Sequence, residues 1–370
     1  MAAVFGGRRP DRLPVTISYT PLMQREHWEE ITGQPAWTWH RWCYTSPDEH
    51  LEGYRELDKA LPLDVIEPLD APPLEVREHT RVVRRPGGCS IVNTRTGEER
   101  WVTEDLAHVA PAANEKRSVF TRRDADERIR VVSAERAIAA GVNDYRAKVV
   151  ETMGPTRFIL SGGVTGAFWG CTGHLGETNL LTLVRDDPQL VDYLCARILE
   201  QHIERIRVLC AAGGDAVFID DALTTSEMIS LADYERFSMP YVRRMVEEIH
   251  AHGMKAIVIY FGGVADRLEH IASLGADGLM VETSMKSYTN DIGEIAETLG
   301  GRMVLFGNID PVNVIWRGSD AELQREVARQ AAVGRRYGRF VMCTGSPVTP
   351  ATPLARIRRF IDLAGGASTR

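Results

Sequence analysis

The chain has 370 residues, 44% hydrophobic and 26% charged, with 7 tryptophans and a formal net charge of −7. That balance suits a water-soluble globular protein and gives no overall attraction for nucleic acid or an anionic membrane. No apolar run approaches the roughly 20 residues that span a bilayer, the first twelve residues lack the apolar core of a signal peptide, and the six scattered cysteines contain no Cys-x-x-Cys pair; a cytoplasmic protein with reduced thiols is expected, not a disulfide framework or a structural zinc site.

Arg9 to Pro14 leads into Val15–Tyr19, an apolar and β-branched run read as a first strand. Met23 to Thr32 reads as a helix. Trp37 to Tyr44 is an aromatic cluster in which Trp37, Trp39 and Trp42 follow no period of 2 or 3.6. Such a cluster suits a pocket wall, a lid or a subunit contact, the last implying a homodimer; aromatics that simply pack a long loop onto the fold are the plainer alternative. Asp48 to Leu61 is a helix opened by Pro47, and Asp64–Asp70 a second strand. Residues 75–105 change to short β-type runs (Val82-Val83, Cys89–Val92, Arg100–Thr103) separated by Pro86-Gly87-Gly88 and Asn93–Gly97, the pattern of a small antiparallel insertion. A charged stretch, Lys116–Arg130, precedes a helix that ends near Met153.

From Arg157 the pattern becomes regular. Apolar runs recur at Arg157–Ser161, Ala216–Asp220, Ala256–Tyr260, Gly278–Val281, Met303–Phe306 and Phe340–Cys343, with amphipathic helices between them over Asp187–Ala211, Leu231–Ala251, Val264–Leu274, Ile292–Leu299 and Ala321–Tyr337, and after them over Pro353–Leu363. Two early strands and six later ones predict an α/β fold, a (β/α)8 TIM barrel spanning residues 1–370 as one domain with the insertion near residues 75–105. In such a barrel the active site gathers at the C-terminal strand ends. Polar residues and glycines collect there: Ser161-Gly162-Gly163, Asp220-Asp221, Tyr260–Gly263, Glu282-Thr283-Ser284, Gly307–Asp310 and Thr344-Gly345-Ser346.

Five blocks then resemble, in order, the uroporphyrinogen decarboxylase superfamily, which includes corrinoid-linked methyltransferases. They are Arg9–Val15, Gly163–Trp169, Gly213–Ala216 with Ile229–Tyr234 and Pro240-Tyr241, Gly307–Pro311, and Pro350–Pro353. The resemblance covers about residues 155–365, plus the first strand. It implies a barrel enzyme, and for the methyltransferases a zinc ion held by His-x-Cys at the tip of the Ala256–Gly263 strand and by a cysteine in the last loop. Here those positions carry Ile259, Phe261 and Ser346, and Cys343 cannot make a site alone, so no zinc is expected. The decarboxylases' paired arginines after the first strand are missing as well, Arg25 being the arginine closest to that loop; their aspartate corresponds to Asp64 or Asp70, and His174 stands at their tyrosine. A tetrapyrrole with eight carboxylates needs several gripping cations, so uroporphyrinogen itself is not the expected substrate.

Candidate catalytic groups are Asp220 and Asp221, whose side chains leave the strand on opposite faces, together with Glu282, His174 and the hydroxyl of Tyr260. Each has an ordinary structural alternative: a turn cap for the aspartates, an ion pair with Lys286 or Arg302 for Glu282, a solvated or capping His174, a core Tyr260. Arg25, Trp37, Trp39, Trp42, Phe261, Asn308 and Ser346 are candidate substrate contacts, although Asn308 and Asp310 could equally serve their own loop. The expected activity is transfer of a methyl group from a small methylated, methoxylated or aromatic substrate to a corrinoid (cobalamin-type) protein partner, acid-assisted at the leaving oxygen, with no tightly bound cofactor. The alternatives are a cofactor-free decarboxylase or lyase of a small acid, with Arg25 or Arg41 as gripping cation, and a ligand-binding relative without catalysis.

Overall fold

The apolar runs become seven parallel strands of one curled sheet in the computed structural model, which describes residues 1–103 and 120–366. In chain order the strands are β1 (Val65–Ile66), β2 (Thr80–Arg85), β3 (Gly88–Asn93), β4 (Glu99–Thr103), β5 (Phe158–Thr165), β6 (Ala216–Asp220), β7 (Lys255–Tyr260), β8 (Gly278–Val281), β9 (Val304–Phe306) and β10 (Phe340–Val341). The parallel sheet runs β1-β5-β6-β7-β8-β9-β10, while β2-β3-β4 form the expected separate antiparallel meander. Both faces of the parallel strands are buried, which is why β7 is apolar from Ala256 onward without alternation.

The eighth stave differs from expectation. Val15–Tyr19 makes only a single parallel bridge, Val15 to Met342. Main-chain bonds from Thr16 to Met342 (2.9 Å), Met342 to Pro14 (2.8 Å) and Asp64 to Val15 (2.9 Å) still tie it between the two ends of the sheet. Side chains take the remaining ladder positions: the Val15 N–H donates to Asp64 (2.8 Å) and the Ser18 N–H to the Thr344 hydroxyl (3.0 Å). The second expected strand shrinks to β1 for a like reason. Pro68 offers no N–H, and the Tyr54 hydroxyl donates to the Glu67 carbonyl (3.2 Å) and accepts from Leu69 N–H (2.9 Å). The ring is therefore an open ladder of seven strands bridged by an irregular eighth segment.

The helices follow the amphipathic pattern with local breaks. The predicted helix Leu231–Ala251 divides at Ser238 into Leu231–Phe237 and Met239–Ala251, because Pro240 lacks the N–H that would continue the first segment. Met23–Thr32 lies within two helices, Thr20–Glu26 and Trp28–Thr32. The capping box Ser46/Glu49 and Pro47 start the helix Pro47–Ala60 as expected. Lys116 to Val119, the start of the charged stretch, lies outside the described residues. No helix among the described residues is long and apolar enough to cross a membrane.

Trp39 and Trp42 of the aromatic cluster pack against each other and against Trp28. Trp39 and Trp42 belong to a short helix, Thr38–Trp42, and are 6% and 5% exposed. Their rings and that of Trp28 lie 5.0–5.3 Å apart by centroid. His50 is stacked between Trp42 (3.9 Å) and Tyr145 (3.7 Å), where burial pushes its pKa down to about 3 and keeps the ring neutral. Gly53 faces the Trp42 indole so closely that a Cβ would come within 2.2 Å of its nitrogen. Trp28 and Trp42 find hydrogen-bond acceptors at the Thr38 hydroxyl (2.7 Å) and the His50 carbonyl (3.1 Å). Trp39 and Trp42 are thereby buried beside the N-terminal helices, and each also edges a cavity, Trp39 with Arg25 and Trp37 and Trp42 with Arg41 and Tyr44. Trp42→Ala is expected to lower the unfolding free energy in urea by about 3–5 kcal/mol, the usual cost of emptying a packed aromatic site.

Candidate active site

Strand register decides which side chains share the inner face. Asp220 is aligned with Ile259, Ile259 with Met280 and Met280 with Phe306. Ile259, Met280 and Phe306 pack in the inner apolar cluster with partly buried Tyr19, Phe218 and Phe261. Asp220 therefore opens onto the inside of the ring, at the C-terminal end of β6, above this apolar floor. Asp221, one residue on, faces outward: it is fully buried against the helices, accepts a hydrogen bond from Ser238 (2.6 Å) and is pushed up to about 6 by burial, less what Ser238, Thr224 and Arg267 return. Tyr260 is likewise outward, donating to the Thr224 carbonyl (2.8 Å), its hydroxyl raised in pKa by burial. The alternation that parts Asp220 from Asp221 thus removes Asp221 and Tyr260 from the mouth.

Asp220 is 3% exposed and accepts from the Tyr19 hydroxyl through Oδ2, while its buried Oδ1 has no partner among the described residues. Burial raises its carboxyl to about 7; the Tyr19 bond and the Ala222 N–H oppose the rise and Asp221 adds to it. Tyr19 holds the only positive φ (52°) among described non-glycine residues, at the point where the chain leaves the irregular stave for helix Thr20–Glu26. That turn aims its ring at Phe261 (centroids 5.6 Å) and Phe218 (6.4 Å). Burial first, then Asp220, Glu67 and Glu282, raise the Tyr19 hydroxyl's pKa. Glu67 is itself pushed up to about 7 by burial, partly offset by Arg146.

Glu282 ends β8 at the same rim. Its two oxygens accept from Tyr288 and from Ser346 (3.1 Å), and Arg302, one of its expected ion-pair partners, instead holds Glu269 at 2.8 and 2.9 Å. Tyr288 reaches Glu282 because Gly263 leaves room. Gly262 has φ +132°, and a Cβ there would come within 2.1 Å of Thr225; one on Gly263 would lie 2.9 Å from the Tyr288 Cβ. Asn308, expected as a substrate contact, spends its side chain on the backbone beneath. It donates to the carbonyls of Glu282 (3.1 Å) and Asn290 (2.8 Å) and accepts from Gln330 (3.1 Å). Asn308→Ala is expected to reduce unfolding free energy by about 1–3 kcal/mol, since it strands these buried partners; chemical denaturation measures it. Asp310 caps its own loop, accepting from Val312 and Asn313 N–H at 2.8 Å each.

The remaining candidates lie elsewhere. Arg25 lines a crevice with Trp37, Trp39 and His40 against the meander residues Gly88, Cys89, Val102 and Thr103. The nearest acid to it is Glu26, 3.9 Å away. His174 sits half-buried on the short helix Thr172–Leu175, its pKa lowered by burial and Arg128, and no described hydrogen bond links it to the carboxylates. Asp64 and Asp70 are engaged, Asp64 by Arg12 (two contacts of 2.7 Å) and Asp70 by Arg146 and Arg205. The structure thus brings Asp220, Glu282, Phe261 and Ser346 together. Sequence reasoning missed Tyr19, Glu67, Phe218 and Tyr288. Period-2 spacing could have found Phe218 from Asp220 and Glu67 from Val65, whereas nothing local marks Tyr288. The set does not fit zinc: Ile259 and Phe261 offer no ligand atom, Ser346 is bonded to Glu282, and burial pushes the Cys343 thiol up.

Comparisons with known proteins agree with this architecture. A family model described as uroporphyrinogen decarboxylase (URO-D) matches residues 119–366. The uroporphyrinogen decarboxylase of Pseudomonas savastanoi pv. phaseolicola is 34% identical over 186 residues, 49% of this chain and 49% of its own. That of Tolumonas auensis is 26% identical over 213 residues, 54% of this chain and 57% of its own. The chain thus spans about half the length of the curated relatives it matches. A solved structure, a methyltransferase from Methanosarcina mazei, aligns over 98% of this chain and 96% of its own with a TM-score of 0.64 and 17% identity, a likeness of fold.

Proposed function

The chain belongs to the uroporphyrinogen decarboxylase family, and from that premise we propose that it moves a methyl group from a small methylated compound to a corrinoid carried by a partner protein. The observation that carries this reading is the Tyr19–Asp220 pair, set among aromatic rings at the inner strand ends, with a carboxyl that changes protonation near neutral pH. Phe218, Phe261 and the Tyr19 ring hold the apolar part of the donor and keep water from it. Asp220 faces the heteroatom that releases the methyl group, and Glu282, fixed by Tyr288 and Ser346, flanks it. If the leaving atom is an ether oxygen it takes a proton, which Asp220 supplies; if it is an ammonium nitrogen it leaves neutral and takes none. No protein-bound metal enters the reading. The partner's reduced corrinoid supplies the nucleophile that accepts the methyl group.

Decarboxylation, suggested by the names of the relatives, meets an obstacle at this site. A carboxylate substrate would face Glu67, Asp220 and Glu282, with Arg25 directed elsewhere. The two readings part in one experiment. The protein is incubated with a corrinoid protein and a panel of methyl ethers and methylamines, and the corrinoid spectrum is followed while carbon dioxide is trapped from parallel incubations with small acids. Methylation of the corrinoid is expected. Carbon dioxide release without corrinoid, and no methylation from any donor, would replace the proposal.

A further inference from the structure

We infer that Tyr19 occupies the place of the substrate, and that the molecule which displaces it is a small aryl methyl ether, a benzene ring carrying a methoxy group. The inference rests on the methyl-transfer reading for its chemistry but on the contacts of Tyr19 for its ligand. Asp220, the acid of that reading, is 3% exposed, and the Tyr19 hydroxyl already rests on its Oδ2. The Tyr19 ring meets Phe261 and Phe218 at centroid distances of 5.6 and 6.4 Å, inclined by 57° and 80°. The cavity that Tyr19 borders on the inner side, with Phe218, Ile259, Met280 and Phe306, has a volume of about 20 Å³, room for one water. With Asp220 buried and this ring across it, a donor reaches the carboxyl only when Tyr19 leaves.

The local backbone favours that departure. Tyr19 is half-buried, with φ 52° and ψ 53° in the left-handed region, which a side chain with a Cβ adopts only at a cost. The segment before it makes a single parallel bridge, Val15 to Met342, and helix Thr20–Glu26 starts directly after it. Residues at such an element end absorb large φ/ψ changes in hinge motions. Among the described residues, the bond to Asp220 is the one hydrogen bond that the Tyr19 side chain makes. Rotation at this residue relieves the strain and carries the ring outward.

What Tyr19 leaves behind defines the ligand. The vacated space is that of one phenol ring, edge-on to Phe218 and tilted to Phe261, a geometry that a flat aromatic ring satisfies. Asp220 Oδ2 loses a hydroxyl, and Oδ1 has no partner among the described residues, so the carboxyl is free to hold a proton toward the entering oxygen. In the transfer, the bond between methyl carbon and oxygen breaks, and its electron pair stays on oxygen. The methyl carbon takes its new bond from the electron pair of the partner's reduced corrinoid. The aryl oxygen takes the proton of Asp220, and the phenol so formed donates to the Asp220 carboxylate as Tyr19 does in its absence. Swung outward, the Tyr19 ring covers the donor from the rim, and its return replaces the product phenol with an equivalent one.

The test is isothermal titration of the full chain with three ring molecules: phenol, toluene and benzoate. The parent is expected to bind phenol about tenfold tighter than toluene, because the hydroxyl replaces the bond that Tyr19 gives up. Benzoate is expected to bind more weakly than phenol, since its carboxylate meets that of Asp220. Tyr19→Phe keeps the ring but deletes the competing hydroxyl, so it is expected to bind phenol about tenfold tighter than the parent. Tyr19→Gly, which suits a left-handed backbone, is expected to show at least the same gain; circular dichroism checks the fold of both. No phenol binding by the parent, toluene or benzoate binding as tightly as phenol, or no gain in either variant would each overturn the inference. Phenol bound by the glycine variant alone would reveal only the hole left by a missing ring, and would overturn it too. Methoxybenzene is then offered together with a corrinoid protein, and methylation of the corrinoid with release of phenol is expected. Phenol binding with no methylation from any donor would overturn the transfer reading and leave the ring site standing. Methylation from a methylamine without phenol binding would do the reverse.

Discussion

Replacing Asp220 with asparagine is expected to lower kcat by about 10²–10⁴-fold, the range lost when a positioned acid–base group is removed. Asparagine keeps the shape and can still accept from Tyr19, so the substitution takes away the titrating charge and little else. The same change is expected to make the protein more stable above pH 7. The native carboxyl is forced to ionise there inside an apolar floor of Ile259, Met280 and Phe306, and its raised pKa of about 7 measures that cost. From about 3.8 to about 7 the full linkage is on the order of 4 kcal/mol. Relaxation and coupling to Asp221 reduce what unfolding registers to about 2 kcal/mol, because charges this close titrate as a set. Urea denaturation of the two proteins at pH 8 measures the difference; a variant less stable than the parent at that pH would show that Asp220 serves the fold and not the chemistry. A gain in stability with a loss of turnover is the pattern of a site that keeps an unfavourable group for its reactivity.

The second large effect is a fall in stability between pH 5 and pH 7.5. Asp220 and Glu67 sit at about 7 and Asp221 at about 6, each raised from near 4 by burial. A carboxyl whose folded pKa lies above its unfolded one binds its proton more tightly in the native state. Its stabilisation is complete below the unfolded pKa, near 4, and is lost as pH rises through the folded value of 6 to 7. Paired acids such as Asp70 and Asp277 are lowered instead, net of burial that raises them, and their stabilisation is lost only as pH falls through their depressed values, below 4. The two groups of acids therefore act in separate pH windows. With Glu67 discounted for its partial exposure, the fall from pH 5 to pH 7.5 is expected to be about 3 kcal/mol. Urea titrations at both pH values test it, and a flat or rising profile would contradict burial of these carboxyls in their ionised form. Asp220→Asn is expected to remove a large part of the slope, which ties the two predictions to one group.

Much of this architecture is legible along the chain. Apolar runs ending in glycine or a carboxylate at Asp220, Gly262 and Glu282 announce strands that deliver chemistry at one rim, and β6 and β8 begin and end where the pattern places them. The same chain order locates the three meander strands. The early staves are less legible because side chains from Asp64, Thr344 and Tyr54 replace main-chain ladder bonds, and those partners lie up to 326 residues away. The tryptophans illustrate the other limit. A composition rich in aromatic rings suits a cage and a core equally, and only the contacts with Trp28, His50 and Tyr145 make Trp42 a core residue.

What the amino-acid order determines by itself is parity: Asp220 and Asp221 must part, and so must Tyr260 and Phe261, because successive side chains on a strand leave on opposite faces. It does not determine which parity is inner, since both faces of a parallel strand are apolar and the two readings look alike. The direction in which the sheet curls makes that choice. The curled sheet puts Asp220, Phe261 and Glu282 inside, and sends Asp221 and Tyr260 against the helices. It also brings Tyr19, 201 residues from Asp220 in sequence, to the one inner carboxylate that titrates within its hydrogen-bond reach.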